Sequence, residues 1–253
     1  MSVNKVQIKK ITLGEGRPKI AVPITGKTSQ EILDQAKGII AVKPDLIEWR
    51  IDFFDGVTDD NALNGVGKKL SSVLGEIALL VTFRTKSEGG ELELSDEKYF
   101  ENCEDIGKEG YADAIDVERY HDEQQVKSTV KYLHEHGKVV IMSNHDFDKT
   151  PAEADILQRL SSMQDLDADV LKIAVMPQNV DDVLTLLSAT THDSAALKQP
   201  IITMSMGDIG KVSRISGEVF GSTLSFATVG AASAPGQISS SRVTETLNDL
   251  KLD

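Results

Sequence analysis

The stretch "ADVLKIAVMP" (residues 168–177) decides how the fold is read. Val170, Leu171, Ile173, Ala174 and Val175 form a short apolar run of the kind that buries on both faces, as strands of a parallel sheet do. Lys172 interrupts it. An ammonium in such a place must pair, snorkel or lose its proton, because burying it alone is costly. If Leu171, Ile173 and Val175 face covering helices, the period of two turns Lys172 to the opposite face.

Seven more runs of similar texture lie around it: "KIAVPI" (19–24), "DLIEWRID" (45–52), "IALLVTFR" (77–84), "ADAIDVE" (112–118), "KVVIMSNH" (138–145), "PIITMSM" (200–206) and "STLSFAT" (222–228). Segments with helical or helix-compatible spacing separate them. "SQEILDQAKGII" sets Ile32, Leu33, Ala36, Ile39 and Ile40 on one stripe. "TPAEADILQRLSSM" offers Thr150 as N-cap, Pro151 at the first helical position and Glu153 to complete a capping box. "NVDDVLTLL" offers Asn179 as cap, with Val180, Val183, Leu184 and Leu187 inward. "HDEQQVKSTVKYLHEHG" stops at Gly137, as a glycine C-cap should.

Eight βα units in 253 residues with no linker predict an α/β fold, a (β/α)₈ TIM barrel forming a single domain over residues 1–253. A doubly wound open sheet is the competing architecture. It usually carries a glycine-rich first turn, and "PITGKTSQ" has one glycine and no GxGxxG. The opening "VQIKKITLGEGRP" reads as a short N-terminal β-hairpin closing the bottom of the barrel.

Bulk properties narrow the function. A formal net charge of −13 argues against a general binder of nucleic acid or anionic membrane. It leaves room for a small anionic substrate held by a local arginine cluster. The lone Cys103, in the helix-like "YFENCEDIG", cannot form an internal disulfide and points to a reducing compartment and a core-filling role. No stretch approaches the length of a membrane span, and the start has no apolar leader, so a cytoplasmic protein is expected.

Barrel active sites lie at the C-terminal strand ends, and alternation assigns their inward residues. Glu48 and Arg50 point in together, as do Arg84, Asp116, Glu118, Ser143, His145 and Lys172. Any one of these alone is more easily a structural pair: Asp116 or Glu118 could neutralise Lys172, and Glu48 with Arg50 could be a buried ion pair. Together they weaken that reading, because ordering so many ionisable groups in one cavity is expensive unless function needs them. His134 and His136 suit a helix C-terminus, and His121 and His192 read as surface residues.

A lysine between apolar walls and near other cations yields its proton more easily, and the neutral amine attacks carbonyls. His145 can move protons, and Arg50, Arg84 and Arg214 can clamp a carboxylate. A metal site fits less well, because the cations would repel a divalent ion.

The stretches "EWRID", "TFRTKSEGGE", "IMSNHDF", "LKIAVMP", "ITMSMGDIGKVSRISGEVFGS" and "SAPGQI", in this order, resemble type I 3-dehydroquinate dehydratase from about residue 18 to the end. The resemblance implies a cofactor-free and metal-free homodimeric barrel that converts 3-dehydroquinate to 3-dehydroshikimate and water in the shikimate pathway. It implies that Lys172 forms a Schiff base with the substrate ketone, that His145 is the general base and acid, and that Glu88 orients and polarises His145. It further implies that Arg214 holds the substrate carboxylate and that Glu48, Arg50 and Arg84 bind ring hydroxyls and order the site. Ser233 and Gln237 would belong to a closing loop, and Met204, Met206 and Phe226 to an apolar wall. One departure is visible: Pro23 replaces a serine that reaches the substrate in relatives. Two alternatives stay open on the residues alone. A class I aldolase would use the same lysine, with "SMGDIGK" as a faint phosphate turn; a non-catalytic barrel would merely bind a sugar acid.

Overall fold

The computed structural model describes residues 3–230 and 232–252, so residues 1, 2, 231 and 253 of the expected single domain lie outside the described residues. An antiparallel hairpin, β1 (Val6–Ile8) and β2 (Ile11–Leu13), comes first. Eight parallel strands follow in chain order: β3 (Lys19–Ile24), β4 (Leu46–Arg50), β5 (Ala78–Thr82), β6 (Ala114–Glu118), β7 (Val139–Asp146), β8 (Val170–Val175), β9 (Ile201–Ser205) and β10 (Leu224–Thr228). Each pairs with the next as far as β9, and β10 pairs back onto β3. The seam between β9 and β10 is thin. It holds a single bridge, Ile201 to Ser222, and a bond from the Thr223 amide to the Ile201 carbonyl at 2.9 Å. A short β11 (Ile238–Ser239) extends the sheet beside β10. All eight strand expectations hold within a few residues at their ends.

Helices α1 (Ser29–Ile40), α2 (Asp60–Leu74), α3 (Asp96–Glu109), α4 (Glu123–Glu135), α5 (Glu153–Asp165), α6 (Val180–Ala196), α7 (Gly217–Phe220) and α8 (Ser240–Asp249) cover the outside. Local chemistry starts them. Thr28 and Glu31 form a capping box on α1, while Asp59, Ser95, Asp122 and Asn179 accept first-turn amide hydrogens of α2, α3, α4 and α6. Gly137, at φ +68°, ends the α4 region as expected.

Two details differ from the sequence reading. Thr150 does not cap α5. That helix begins at Glu153 after Ala152, with no side-chain cap, and the Glu153 carboxylate turns instead to Ser188 and His192 on α6. On α6, Val183 is buried but Val180 and Leu184 are 64% and 58% exposed. The inward stripe continues instead through Leu186, Ala189 and Thr190, so the helix is rotated relative to the expected face.

The strands divide the apolar residues into two layers. Ile47, Trp49, Phe83, Ile115, Val117, Leu171, Ile173 and Val175 pack under the helices. Ala21, Leu46, Leu80, Ala114, Ile141, Val170, Ile202 and Leu224 fill the barrel interior. Ile8 and Leu13 of the hairpin join that inner cluster and plug its lower end, each burial worth about 1.5–3 kcal/mol. Above this apolar floor the inward positions change character: Glu48, Thr82, Asp116, Ser143 and Lys172 are all buried. The floor excludes water from below, and the polar layer faces the strand C-termini.

Candidate active site

Lys172 sits on β8 with its side chain 4% exposed, and it is paired. Nζ donates to Asp116 Oδ2 at 3.0 Å and lies 3.8 Å from Glu48 Oε1. It also stands 4.7 Å above the centre of the Phe226 ring. The expectation of an amine set free among apolar walls is therefore corrected. The lysine is held by carboxylates from two other strands and faces an aromatic wall on a third.

Arg84 organises the layer above. Its Nη1 donates to Glu118 Oε1 at 2.6 Å and to Ser143 Oγ at 3.0 Å, and its Nη2 donates to Asp116 Oδ1 at 2.8 Å. Burial acts against both ions of the Arg84–Asp116 pair. Their attraction outweighs it, raising the guanidinium well above its ordinary value and, with Lys172, lowering Asp116. Arg50 is likewise occupied, forked onto Asp52 by two bonds of 2.7 Å.

Arg214 differs from both. It is 3% exposed, its Nη2 donates to the Pro235 carbonyl at 3.0 Å, and its Nη1 meets only the Met204 sulfur at 3.8 Å. Nε has no partner, and no carboxylate lies within ion-pair distance among the described residues. Burial pulls its affinity for the proton down to about 10, so the guanidinium remains a cation at neutral pH. The expected three-arginine clamp is thus reduced to one available arginine. Arg50 and Arg84 are ion-paired with the protein's own carboxylates.

His145, near the end of β7, has Nδ1 2.8 Å from Glu88 Oε2, and the same oxygen accepts the His145 amide hydrogen at 3.0 Å. Glu88 lies in the 3-10 turn Lys86–Glu88 after β5. Burial and the neighbouring charges of Arg84, Lys172 and Arg50 hold the imidazole well below its usual range, so it is neutral and able to accept a proton. Burial and the nearby Glu118 push Glu88 up to about 8, against the pull of Arg84.

Alternation along the strands did not assign a role to Asn144, whose position belongs to the helix side. At the strand end its amide nevertheless turns to donate to Glu88 Oε1 at 2.9 Å, while its carbonyl accepts from Arg159 of α5 at 2.9 Å. The "SNHDF" stretch was the available signal. Asp52, Phe147 and Gly89 were also missed. Asp52 anchors Arg50 and accepts the Glu91 amide hydrogen, and the other two line the cleft. His121, expected at the surface, is instead nearly enclosed, its side chain 11% exposed against the Tyr99 ring.

Lys172, His145, Glu88, Glu48, Arg50, Arg84, Arg214, Ser233 and Gln237 all border one cleft with about 500 Å³ of unfilled space, part of it continuous with solvent. Met204, Met206 and Phe226 supply its apolar side. Ser233 and Gln237 bond to each other across the loop after β10: the Ser233 amide donates to Gln237 Oε1 at 2.9 Å, and Gln237 Nε2 donates to Ser233 Oγ at 3.1 Å. That loop rests on the end of β9. Gly236, at φ +74°, lies so close to Gly207 that a Cβ would fall 2.2 Å from its carbonyl oxygen. Pro23 does not border the cleft. In the "SMGDIGK" turn, Gly210 leaves no phosphate cradle: a Cβ there would meet the Ser205 carbonyl at 2.4 Å, and Lys211 is paired with Asp208. No cluster of metal-ligating side chains exists among the described residues.

The cleft thus combines an amine, a neutral imidazole oriented by a carboxylate, and an unpaired buried guanidinium. Such a set can form an imine, move a proton beside it and hold an anion. Comparison with known proteins gives a consistent result. The family model for type I 3-dehydroquinase matches residues 20–253. A 3-dehydroquinate dehydratase of Lactiplantibacillus plantarum is 61% identical over 248 residues, covering 98% of both chains. The structure of a type I 3-dehydroquinate dehydratase from Clostridium difficile, with covalent modified comenic acid, superposes with TM-score 0.96 at 46% identity, covering 98% of each chain. The 3-dehydroquinate dehydratase of Geobacillus kaustophilus gives TM-score 0.96 at 33% identity, covering 98% of this chain and 97% of that one.

Proposed function

The chain belongs to the type I 3-dehydroquinase family, and from that membership we propose a mechanism in which Lys172 and His145 dehydrate 3-dehydroquinate to 3-dehydroshikimate. The observation that carries it is Arg214: a buried cation with no carboxylate partner among the described residues, bordering the same cleft as Lys172 and His145. A substrate carboxylate supplies the missing anion, and an apolar surround strengthens that pair.

With the carboxylate on Arg214, the ring lies across the cleft and its ketone meets Lys172. Lys172 first passes a proton to one of its carboxylate partners; the neutral amine adds to the carbonyl, water is lost, and the proton returns to the imine nitrogen, which then draws electrons from the adjacent carbon. In the form with Glu88 ionised, Nδ1–H donates to Glu88 and His145 Nε2 takes the proton from that carbon. The resulting enamine expels the neighbouring hydroxyl, and His145 returns its proton so that water leaves. Hydrolysis of the imine frees the product and Lys172. Asp116 and Glu48 aim the lysine throughout, and Arg84 keeps Asp116 in place. The docked loop carrying Ser233 and Gln237 keeps bulk water from the imine. Pro23 lies outside the cleft's border and offers the substrate no side-chain contact.

We propose that the enzyme acts as a cytoplasmic homodimer of single-domain barrels, a reading supported by the family resemblance and the single buried cysteine. Borohydride trapping with 3-dehydroquinate, followed by digestion and mass spectrometry, tests the chemistry. A reduced adduct on Lys172 is the expected result. Turnover without any trapped adduct would remove the covalent route, and absence of both would remove the activity.

A further inference from the structure

His121 lies outside the cleft, in the segment between β6 and α4, and belongs to none of the roles described above. Its two ring nitrogens face two carboxylates: Nδ1 is 3.0 Å from Asp96 Oδ1 of α3, and Nε2 is 3.5 Å from Glu118 Oε2 of β6. A neutral imidazole has one N–H and can donate to only one of them, so the arrangement suits the doubly protonated cation. The ring stacks on Tyr99, centroids 4.4 Å apart and planes 20° from parallel, with Phe100 edge-on. An imidazolium gains from such an aromatic face. No other acidic side chain comes within ion-pair distance of either nitrogen among the described residues.

Glu118 is what makes this placement matter. Its Oε1 accepts from Arg84 Nη1 at 2.6 Å and from the Thr85 amide at 2.9 Å, and its Oε2 accepts from Thr85 Oγ1 at 2.6 Å. The Thr85 carbonyl in turn accepts the Glu88 and Gly90 amide hydrogens, at 3.1 and 2.8 Å. Glu118 therefore clamps the turn that presents Glu88 to His145. It is itself one of the charges that raise Glu88. Arg84 thus meets one oxygen of this carboxylate and His121 faces the other.

We propose that His121 is a positioning residue for the dehydration: as a cation between Glu118 and Asp96, it secures the clamp on the Thr85–Glu88 turn and sets the proton balance of the Glu88–His145 pair from outside the cleft. The proposal rests on the dehydratase reading. Without the imidazolium, Glu118 carries more uncompensated charge beside Glu88. Glu88 then keeps its proton to higher pH, and His145 loses its oriented acceptor geometry over that range.

The test is the pH dependence of kcat and kcat/KM for 3-dehydroquinate with the parent chain, His121→Phe and Asp96→Asn. Phenylalanine preserves the stack and removes both donors. Asp96→Asn leaves the ring in place and weakens its cationic form, so it serves if His121→Phe does not fold. In either variant the acid limb of kcat/KM should move up by about half a pH unit, with kcat at neutral pH down roughly threefold and KM little changed. His121→Lys, which restores a cation, should recover part of the shift. Profiles of both folded variants superimposing on an active parent would overturn the role of His121 alone. A parent chain without turnover would overturn the dehydratase reading itself and the proposal with it.

Discussion

Arg214 donates through Nη2 to the carbonyl of Pro235 at 3.0 Å, which ties a buried guanidinium that has no carboxylate partner among the described residues to the loop bordering the cleft. On the proposed mechanism, charge recognition and closure thereby share one side chain. A bound carboxylate that orders Arg214 also steadies the carbonyl on which the loop rests. Substituting Arg214→Ala should therefore raise KM and lower kcat together. A lost charge-assisted pair of about 2 kcal/mol corresponds to roughly 30-fold in kcat/KM. Steady-state kinetics check this, and an unchanged KM would show that the carboxylate binds elsewhere.

The loop itself can be tested without touching a charged group. Gly236→Ala places a methyl group against the Gly207 carbonyl at a backbone conformation unfavourable for alanine. Docking should weaken, KM should rise several-fold, and the thermal midpoint should stay within a few degrees, since the loop is peripheral to the core. A large fall in Tm with normal KM would mean that the contact serves stability instead of closure.

The Glu88–His145 pair predicts a pH dependence whose sign follows from its surroundings. Burial and Glu118 raise Glu88 to about 8, while burial and three cations hold His145 low. Below about pH 8 the pair keeps a proton at Glu88, leaving Nδ1 to accept it. Above that, Glu88 is an anion that accepts from Nδ1–H, and Nε2 is free to act as base. In the free enzyme, kcat/KM should rise with pH through this region. Glu88→Gln should lower kcat and flatten the rise; a rise that survives in this variant would assign it to another group.

Lys172→Ala should abolish turnover and borohydride trapping while leaving competitive binding of a product-like acid measurable, because Arg214 remains. Asp116→Ala tests the scaffold instead. It leaves Lys172 with Glu48 alone and removes one of the three carboxylates within ion-pair distance of Arg84, so stability should fall by about 3 kcal/mol or more in urea unfolding. A loss below about 1 kcal/mol would show that Glu48 and Glu118 suffice to hold both cations.

Much of this molecule could be read along the chain. The eight strand runs, the plugging hairpin and the inward direction of Glu48, Arg84, Asp116, His145 and Lys172 follow from a period of two, which the backbone imposes on any strand. The start of helix α5 escaped because its capping pattern was locally complete, yet Glu153 found partners on α6 that no local rule contains. Val180 and Leu184 were misplaced because an apolar stripe defines a helix face only when the neighbouring element is known. Asn144 was invisible because a strand's alternation relaxes at its last residues.

What the sequence by itself determined is therefore the set of ionisable side chains and the side of the barrel they face. Which of them are neutralised was decided only in the folded barrel. Arg50 finds Asp52 two residues away, Arg84 finds Asp116 and Glu118 more than thirty residues away, and Arg214 finds no carboxylate among the described residues. Those outcomes depend on strand register and twist, because Coulomb energy in a dry interior changes steeply over a few ångströms. Alternation specifies a direction and carries no distance. The one arginine left for a substrate could be known only once the others had found their partners in space.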